Sequence, residues 1–278
     1  MVSDAALAAS LAIVGCGTMG SAIAAGLLRA RVVPPEALVV TTRRREGADA
    51  VQQRLGVAAT TDNAAAIGRA DVVLLCLKPQ ALPAIVSQPA IAAALEGRLV
   101  ISVAAGVTLT QLAELMPKSA LIRAMPNTPA LIGAGMTVLA RGEGVDDAQI
   151  AVATRVFTAV GDCVELEDRH MDAVTSLCGS GPAFSYVVLE AMADGGVMMG
   201  LPRAVALRIA ARVCEGAARM VLDTKHHPAA LKDQVTTPAG CTIAGLLTME
   251  DGRIRSVIAR AIQEAARVAG ELGRSGSR

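Results

Sequence analysis

Short, nearly unbroken apolar runs alternate with longer stretches in which apolar side chains return every three or four positions. The runs at 11–15 (LAIVG), 38–42 (LVVTT), 71–77 (DVVLLCL), 99–104 (LVISVA) and 120–125 (ALIRAM) read as strands. Apolar side chains at consecutive positions suit parallel strands covered on both faces. Between them, 18–29, 44–55, 63–69, 80–95 and 108–115 read as helices. This alternation predicts a doubly wound α/β sheet. Two further strands at 135–141 and 162–166, with a helix at about 146–160, extend the same region.

Beyond residue 168 the pattern changes. No strand signal follows, and 183–199, 203–222 and 254–272 read as helices with shorter ones between. Pro182 and Pro202 stand where a first helical turn tolerates proline, and the Ser/Gly/Arg-rich tail 274–278 reads as frayed. The stretch LRIAARVCEGAARMVL is apolar on more than one face, as in a bundle or a subunit interface. The expected fold is α/β: an N-terminal Rossmann-type doubly wound sheet (1–168) followed by an all-α dimerisation domain (169–278).

Composition narrows the function. Lys+Arg 26 against Asp+Glu 25 gives a net charge of +1, and aromatic residues are 1% of the chain. Neither a phosphate-neutralising surplus nor base-stacking platforms exist, which argues against nucleic acid. The six cysteines form no C-x-x-C pair, and the three histidines have no finger-like spacing. No metal site is expected, and such cysteines read as small buried hydrophobes in a reducing compartment, hence a cytoplasmic protein. The charge-free stretch 5–28 contains three glycines, and Met1-Val2-Ser3-Asp4 lacks a basic start. It reads as strand, turn and helix rather than a membrane span or leader.

Gly15-Cys16-Gly17-Thr18-Met19-Gly20 is G-x-G-x-x-G between a strand and a helix. Such a turn lets backbone approach a pyrophosphate and directs helix N–H groups at it, which points to a dinucleotide. At the end of the second strand an NAD site presents Asp or Glu. Here the letters are Thr41-Thr42-Arg43-Arg44-Arg45. Hydroxyls and guanidinium groups suit a 2′-phosphate, so NADP(H) is expected, with NAD(H) used less well.

Lys78-Pro79-Gln80 and Met125-Pro126-Asn127-Thr128-Pro129 follow strands at their carboxyl ends, where ligands bind in such sheets, and Asp233-Gln234-Val235-Thr236-Thr237-Pro238-Ala239-Gly240-Cys241-Thr242 opens a late helix. With Cys178-Gly179-Ser180-Gly181-Pro182-Ala183, their order and separations resemble pyrroline-5-carboxylate reductase across about 11–272. The resemblance implies NADPH-dependent reduction of L-1-pyrroline-5-carboxylate to L-proline, by a homodimer that assembles in some members into a ring. It implies that the 15–20 turn, Thr42, Asn63, Cys76, Leu77, Lys78, Pro79 and Asn127 hold NADP(H). Gly240, Cys241 and Thr242 would hold the substrate. The sequence departs from the family at Ala239, where glycine is usual, and at Cys178, where serine is common.

Reduction of a protonated imine demands positioning more than a side-chain acid. Thr242 is accordingly assigned orientation of the ring nitrogen, with helix N-capping as its structural alternative. Asn127, between two prolines, would serve as a turn residue if not as a cofactor contact. The competing functions are reduction of a related cyclic imine and non-catalytic NADP(H) binding by a regulator.

Overall fold

The computed structural model describes residues 7 and 9–275; the opening Met1-Val2-Ser3-Asp4 and residues 276–278 lie outside them. The chain divides into two compact units, Met1–Ser180 with Glu264–Arg278, and Gly181–Gln263.

The first unit is built on eight strands. They are β1 (Leu11–Val14), β2 (Leu38–Thr41), β3 (Ala58–Thr60), β4 (Val72–Leu75), β5 (Leu99–Ser102), β6 (Ala120–Pro126), β7 (Gly135–Arg141) and β8 (Gly161–Glu165). Their spatial order is β3-β2-β1-β4-β5-β6-β7-β8, parallel throughout except where β7 runs antiparallel to β6. Intervening helices are α1 (Thr18–Arg29), α2 (Arg45–Leu55), α3 (Asn63–Gly68), α4 (Leu82–Val86), α5 (Pro89–Leu95), α6 (Leu109–Leu115) and α7 (Asp147–Thr158).

The period of two along each strand sorts the core into two layers. Ile13, Leu74, Ile101 and Ile122 pack with Ile23 and Leu27 of α1 and Val156 and Phe157 of α7. Val14, Val73, Leu75 and Val100 face the other way, toward Ile67, Leu82, Ile91 and Leu112. Both faces are therefore filled, as the unbroken apolar runs require. Strand order reverses between β1 and β4, which opens a crevice beyond their carboxyl ends.

Several expectations need correction. Residues 80–95 form two helices, because Pro89 drives Gln88 out of the helical region (φ −65°, ψ 130°). Strand β3 was not predicted: three small residues at a sheet edge carry no apolar signal. Pro182 is not at a helix start. The chain is helical from α8 (Met171–Val174) through a π-helical turn (Thr175–Ser180) into α9 (Gly181–Met198). A proline there lacks one N–H, and the wider turn before it absorbs the break in the ladder.

The second unit is helical: α9, then α10 (Arg203–Thr224), α11 (Pro228–Val235), α12 (Cys241–Asp251) and the first part of α13 (Ile254–Ser275). Helix α13 continues to Ser275, so 274 and 275 are helical rather than frayed. Helices α9 and α10 lie together, with Gly196 against Ala206. Among the described residues of this unit only Ala193, Ala206 and Ala210 are buried, while Leu207, Ile209, Val213 and Leu222 are exposed. Among the described residues, no helix is long and apolar enough to cross a membrane.

Candidate active site

Gly15 leaves β1 with φ +93°, a conformation that side chains resist, and a Cβ there would lie 2.7 Å from the Cys76 carbonyl oxygen. The turn is anchored on β2. The Gly15 N–H donates to Thr41 Oγ1 (3.1 Å), and the Cys16 N–H donates to the Thr41 carbonyl (2.6 Å). Gly20 is buried under the turn; a Cβ would stand 2.6 Å from the Gly15 carbonyl oxygen. Gly17, by contrast, is exposed, has nothing within 4 Å of a Cβ position, and N-caps α1 without any side-chain hydrogen bond. The first-turn N–H groups, those of Thr18 and Met19 among them, are thus left for an anion approaching on the open side.

A cleft of about 740 Å³ opens over this turn. Gly15, Cys16, Gly17, Thr42, Arg43, Asn63, Cys76, Leu77 and Lys78 all line it, as do Thr41, Thr61, Ala81 and Ile85. Each carboxyl end contributes: β1 the glycine turn, β2 Thr41 to Arg43, and β4 Cys76 to Lys78. The Lys78 carbonyl accepts from the Ala81 and Leu82 N–H groups in the turn that leads into α4. Burial pushes both the Cys16 and Cys76 thiols up, so the cleft holds neutral thiols rather than thiolates. Volume, open glycine and uncapped helix suit a dinucleotide.

Pro79 and Asn127 are not among the residues lining this cleft. Asn127 follows β6 on the same edge of the sheet, and its Oδ1 accepts from the Met136 N–H (2.9 Å). One end of the carboxamide therefore braces the β6–β7 connection. Cys178 is buried in the π-helical turn, its Sγ donating toward the carbonyls of Met136 (3.2 Å) and Met125 (3.5 Å); burial raises its pKa to about 11.

In the helical unit, Thr237 to Gly240 form a turn closed by the Gly240 N–H donating to the Thr237 carbonyl (3.1 Å). Ala239 stands in the left-handed region, φ +56°. Gly240 is the N-cap of α12 and has no side-chain cap; a Cβ there would collide with Thr237 Oγ1. Cys241 and Thr242 are the first two helical residues, so Thr242 is not the cap and the capping alternative fails. Its half-buried hydroxyl has no hydrogen-bond partner among the described residues. Its backbone N–H and that of Cys241 belong to the uncapped first turn.

Two family models match the chain. Residues 168–272 match one described as pyrroline-5-carboxylate reductase dimerisation, and residues 10–106 match one described as NADP oxidoreductase coenzyme F420-dependent. The pyrroline-5-carboxylate reductase of Synechocystis is 42% identical over 264 residues, covering 95% of this chain and 98% of the relative. The chain belongs to the pyrroline-5-carboxylate reductase family. Its Schizosaccharomyces pombe relative in that family is 38% identical, covering 94% and 98% of the two chains. The pyrroline-5-carboxylate reductase structure from Coxiella burnetii is 32% identical, with a TM-score of 0.89 over 95% of this chain and 98% of that one. A Plasmodium falciparum pyrroline carboxylate reductase with NADP bound is similar in fold: 24% identity, TM-score 0.87, covering 97% and 100%.

For this pyrroline-5-carboxylate reductase family member, sequence reasoning named Thr41 among the hydroxyls suited to a 2′-phosphate and missed that its hydroxyl holds the Gly15 N–H. A threonine closing an apolar strand was the available signal. It also overlooked Ser21 and Arg54, which meet across helices (3.0 Å) and have no sequence signature.

Proposed function

We propose that this protein reduces L-1-pyrroline-5-carboxylate to L-proline with NADPH, the last step of proline biosynthesis. The observation that carries the reading is the end-to-end match, at 42% identity, to a relative of that name. In this reading 1–168 is the NADP(H)-binding domain and 169–278 the dimerisation and substrate domain. The glycine turn receives the pyrophosphate through the uncapped N–H groups of α1. Thr42 and Arg43 take the adenosine end, with Asn63, Cys76, Leu77 and Lys78 along the cleft, Pro79 next to them outside its lining, and Asn127 toward the nicotinamide. Bound NADPH supplies a hydride for the imine carbon.

The chain's own part is to hold and orient the imine. The Cys241 and Thr242 N–H groups at the uncapped start of α12 donate to the substrate carboxylate. The Thr242 hydroxyl accepts from the iminium N–H, which fixes the ring without removing a proton. The product nitrogen keeps the proton it arrived with, so the absence of a histidine from these loops is no obstacle. NAD(H) serves less well because it offers nothing to Arg43. The apolar faces left exposed on α10 support a homodimer, and the higher ring of dimers is part of the same proposal, as is a cytoplasmic setting.

The test follows NADPH at the purified protein: its oxidation with pyrroline-5-carboxylate or the six-membered piperideine analogue, and its formation from NADP+ with an open-chain 3-hydroxy acid. Turnover is expected with the five-membered imine and not with the hydroxy acid. Faster turnover of the six-membered ring would reassign the substrate. Cofactor binding with no turnover of any imine would leave the regulator reading.

A further inference from the structure

A second cleft, also of about 740 Å³, adjoins the first between the start of α1 and helix α2. Cys16, Thr42 and Arg43 line both, so they meet at the end of β2. The charges around the second cleft are lopsided. Arg43, Arg44 and Arg54 border it against a single carboxylate, Glu46. Among the described residues none of these three guanidinium groups is ion-paired, whereas Arg45, next in the run, is paired with Asp49 (3.1 Å). The surplus of two positive charges matches a phosphate monoester, which carries about −1.5 to −2 at neutral pH.

Arg54 reaches this cleft from the last turn of α2, remote in sequence from the 42–45 run. Its Nη2 donates to Ser21 Oγ at 3.0 Å, and Ser21 Oγ donates to the Cys16 carbonyl (3.4 Å) and lies 3.3 Å from Cys16 Sγ. The guanidinium is thereby held at the end of α1 that carries the glycine turn. A pre-positioned arginine loses less rotamer freedom on meeting an anion than a free one. Its remaining N–H groups are available for the charge-assisted bonds that phosphate favours.

We propose that Arg54, held by Ser21, is a specificity-determining contact for the 2′-phosphate of the dinucleotide, acting with Arg43 and Arg44. This rests on the NADP(H) reading above. Arg54 discriminates NADP(H) from NAD(H), whose ribose hydroxyl gives the guanidinium no charge to meet. A purely structural Arg54, pinning α2 to α1, would affect both cofactors alike.

The experiment is calorimetric titration of the wild type, Arg54→Met, Arg54→Lys and Ser21→Ala with NADP+, NAD+ and 2′,5′-ADP, with thermal melts to confirm folding. Arg54→Met is expected to weaken NADP+ and 2′,5′-ADP about tenfold while NAD+ stays within about twofold. Arg54→Lys should fall between, because it keeps the charge but not the fork, and Ser21→Ala should shift NADP+ in the same direction by less. If Arg54→Met melts early, the Lys and Ala variants decide on the same ratios. Equal losses for NADP+ and NAD+, or none for 2′,5′-ADP, overturn the proposal. Arg43→Glu separates it from its premise: a changed cofactor ratio in Arg43→Glu with none in the Arg54 variants removes Arg54 alone. A wild type that binds both dinucleotides equally removes the NADP(H) reading as well.

Discussion

Ala239 keeps a backbone conformation that its Cβ opposes. At φ +56° an L-residue costs roughly 1–2 kcal/mol, more than the conformational freedom a glycine would add to the unfolded chain. Ala239→Gly should therefore stabilise the protein by about 0.5–1 kcal/mol in urea unfolding; a loss instead would mean that the turn is not left-handed in solution. The sequence already marked this position as odd, because alanine replaces the family's glycine, yet only the backbone angles show that it stands in the left-handed region. Thr242 is the complementary case. With Gly240 as the cap, its hydroxyl contributes little to holding α12, so its removal reports on chemistry. Thr242→Ala should lower kcat about 5- to 200-fold with the NADPH Kd unmoved, the loss of one aimed hydrogen bond. Unaltered turnover would leave the hydroxyl no part in the reaction.

Elements were legible wherever burial on two faces wrote itself as a continuous apolar run. Strands β1, β2, β4, β5, β6 and β7 stand where those runs predict, and the glycine turn follows β1. What escaped was either too short, as in Ala58–Thr60, or dependent on partners distant in sequence. Arg123 is an instance: a lone arginine inside an apolar strand, 1% exposed. Its Nη1 donates to Asp168 Oδ1 at 2.9 Å, Asp172 lies 3.9 Å from Nη2, and Asp168 Oδ2 accepts from the Leu109 N–H (3.3 Å). One carboxylate thus joins β6, the start of α6 and the approach to α8. Among the described residues Nε and Nη2 have no hydrogen-bond partner, so Asp168 is the carboxylate that the guanidinium hydrogen-bonds, with Asp172 only at ion-pair distance. Removing one member of a buried pair costs about 3–5 kcal/mol, and Asp168, 28% exposed, belongs at the low end. Asp168→Asn should cost about 3 kcal/mol in urea unfolding. Arg123→Met should cost less, because it leaves no stranded charge in the sheet. A neutral Asp168→Asn would show that the pair contributes nothing.

At the scale of the molecule the two units are built on opposite economies of surface. The sheet unit fills both faces with aliphatic side chains, whereas the helical unit buries three alanines and exposes Val205, Leu207, Ile209 and Val213 along α10. Apolar side chains this numerous on one helix lack the burial that would stabilise it alone, so the unit relies on a second copy for its core. Folding and association are then linked, and apparent stability rises with protein concentration. The double substitution Ile209→Glu/Val213→Glu inserts two carboxylates into that face, where desolvation opposes burial. Sedimentation should show a monomer in place of a dimer or larger assembly, with a melting temperature that no longer depends on concentration. NADP+ binding should persist, since the glycine turn, Thr41 and Lys78 all belong to the sheet unit. An assembly unchanged in mass would place the interface elsewhere than on this face of α10. A monomer that also loses NADP+ would show that the cofactor cleft, too, needs the second copy.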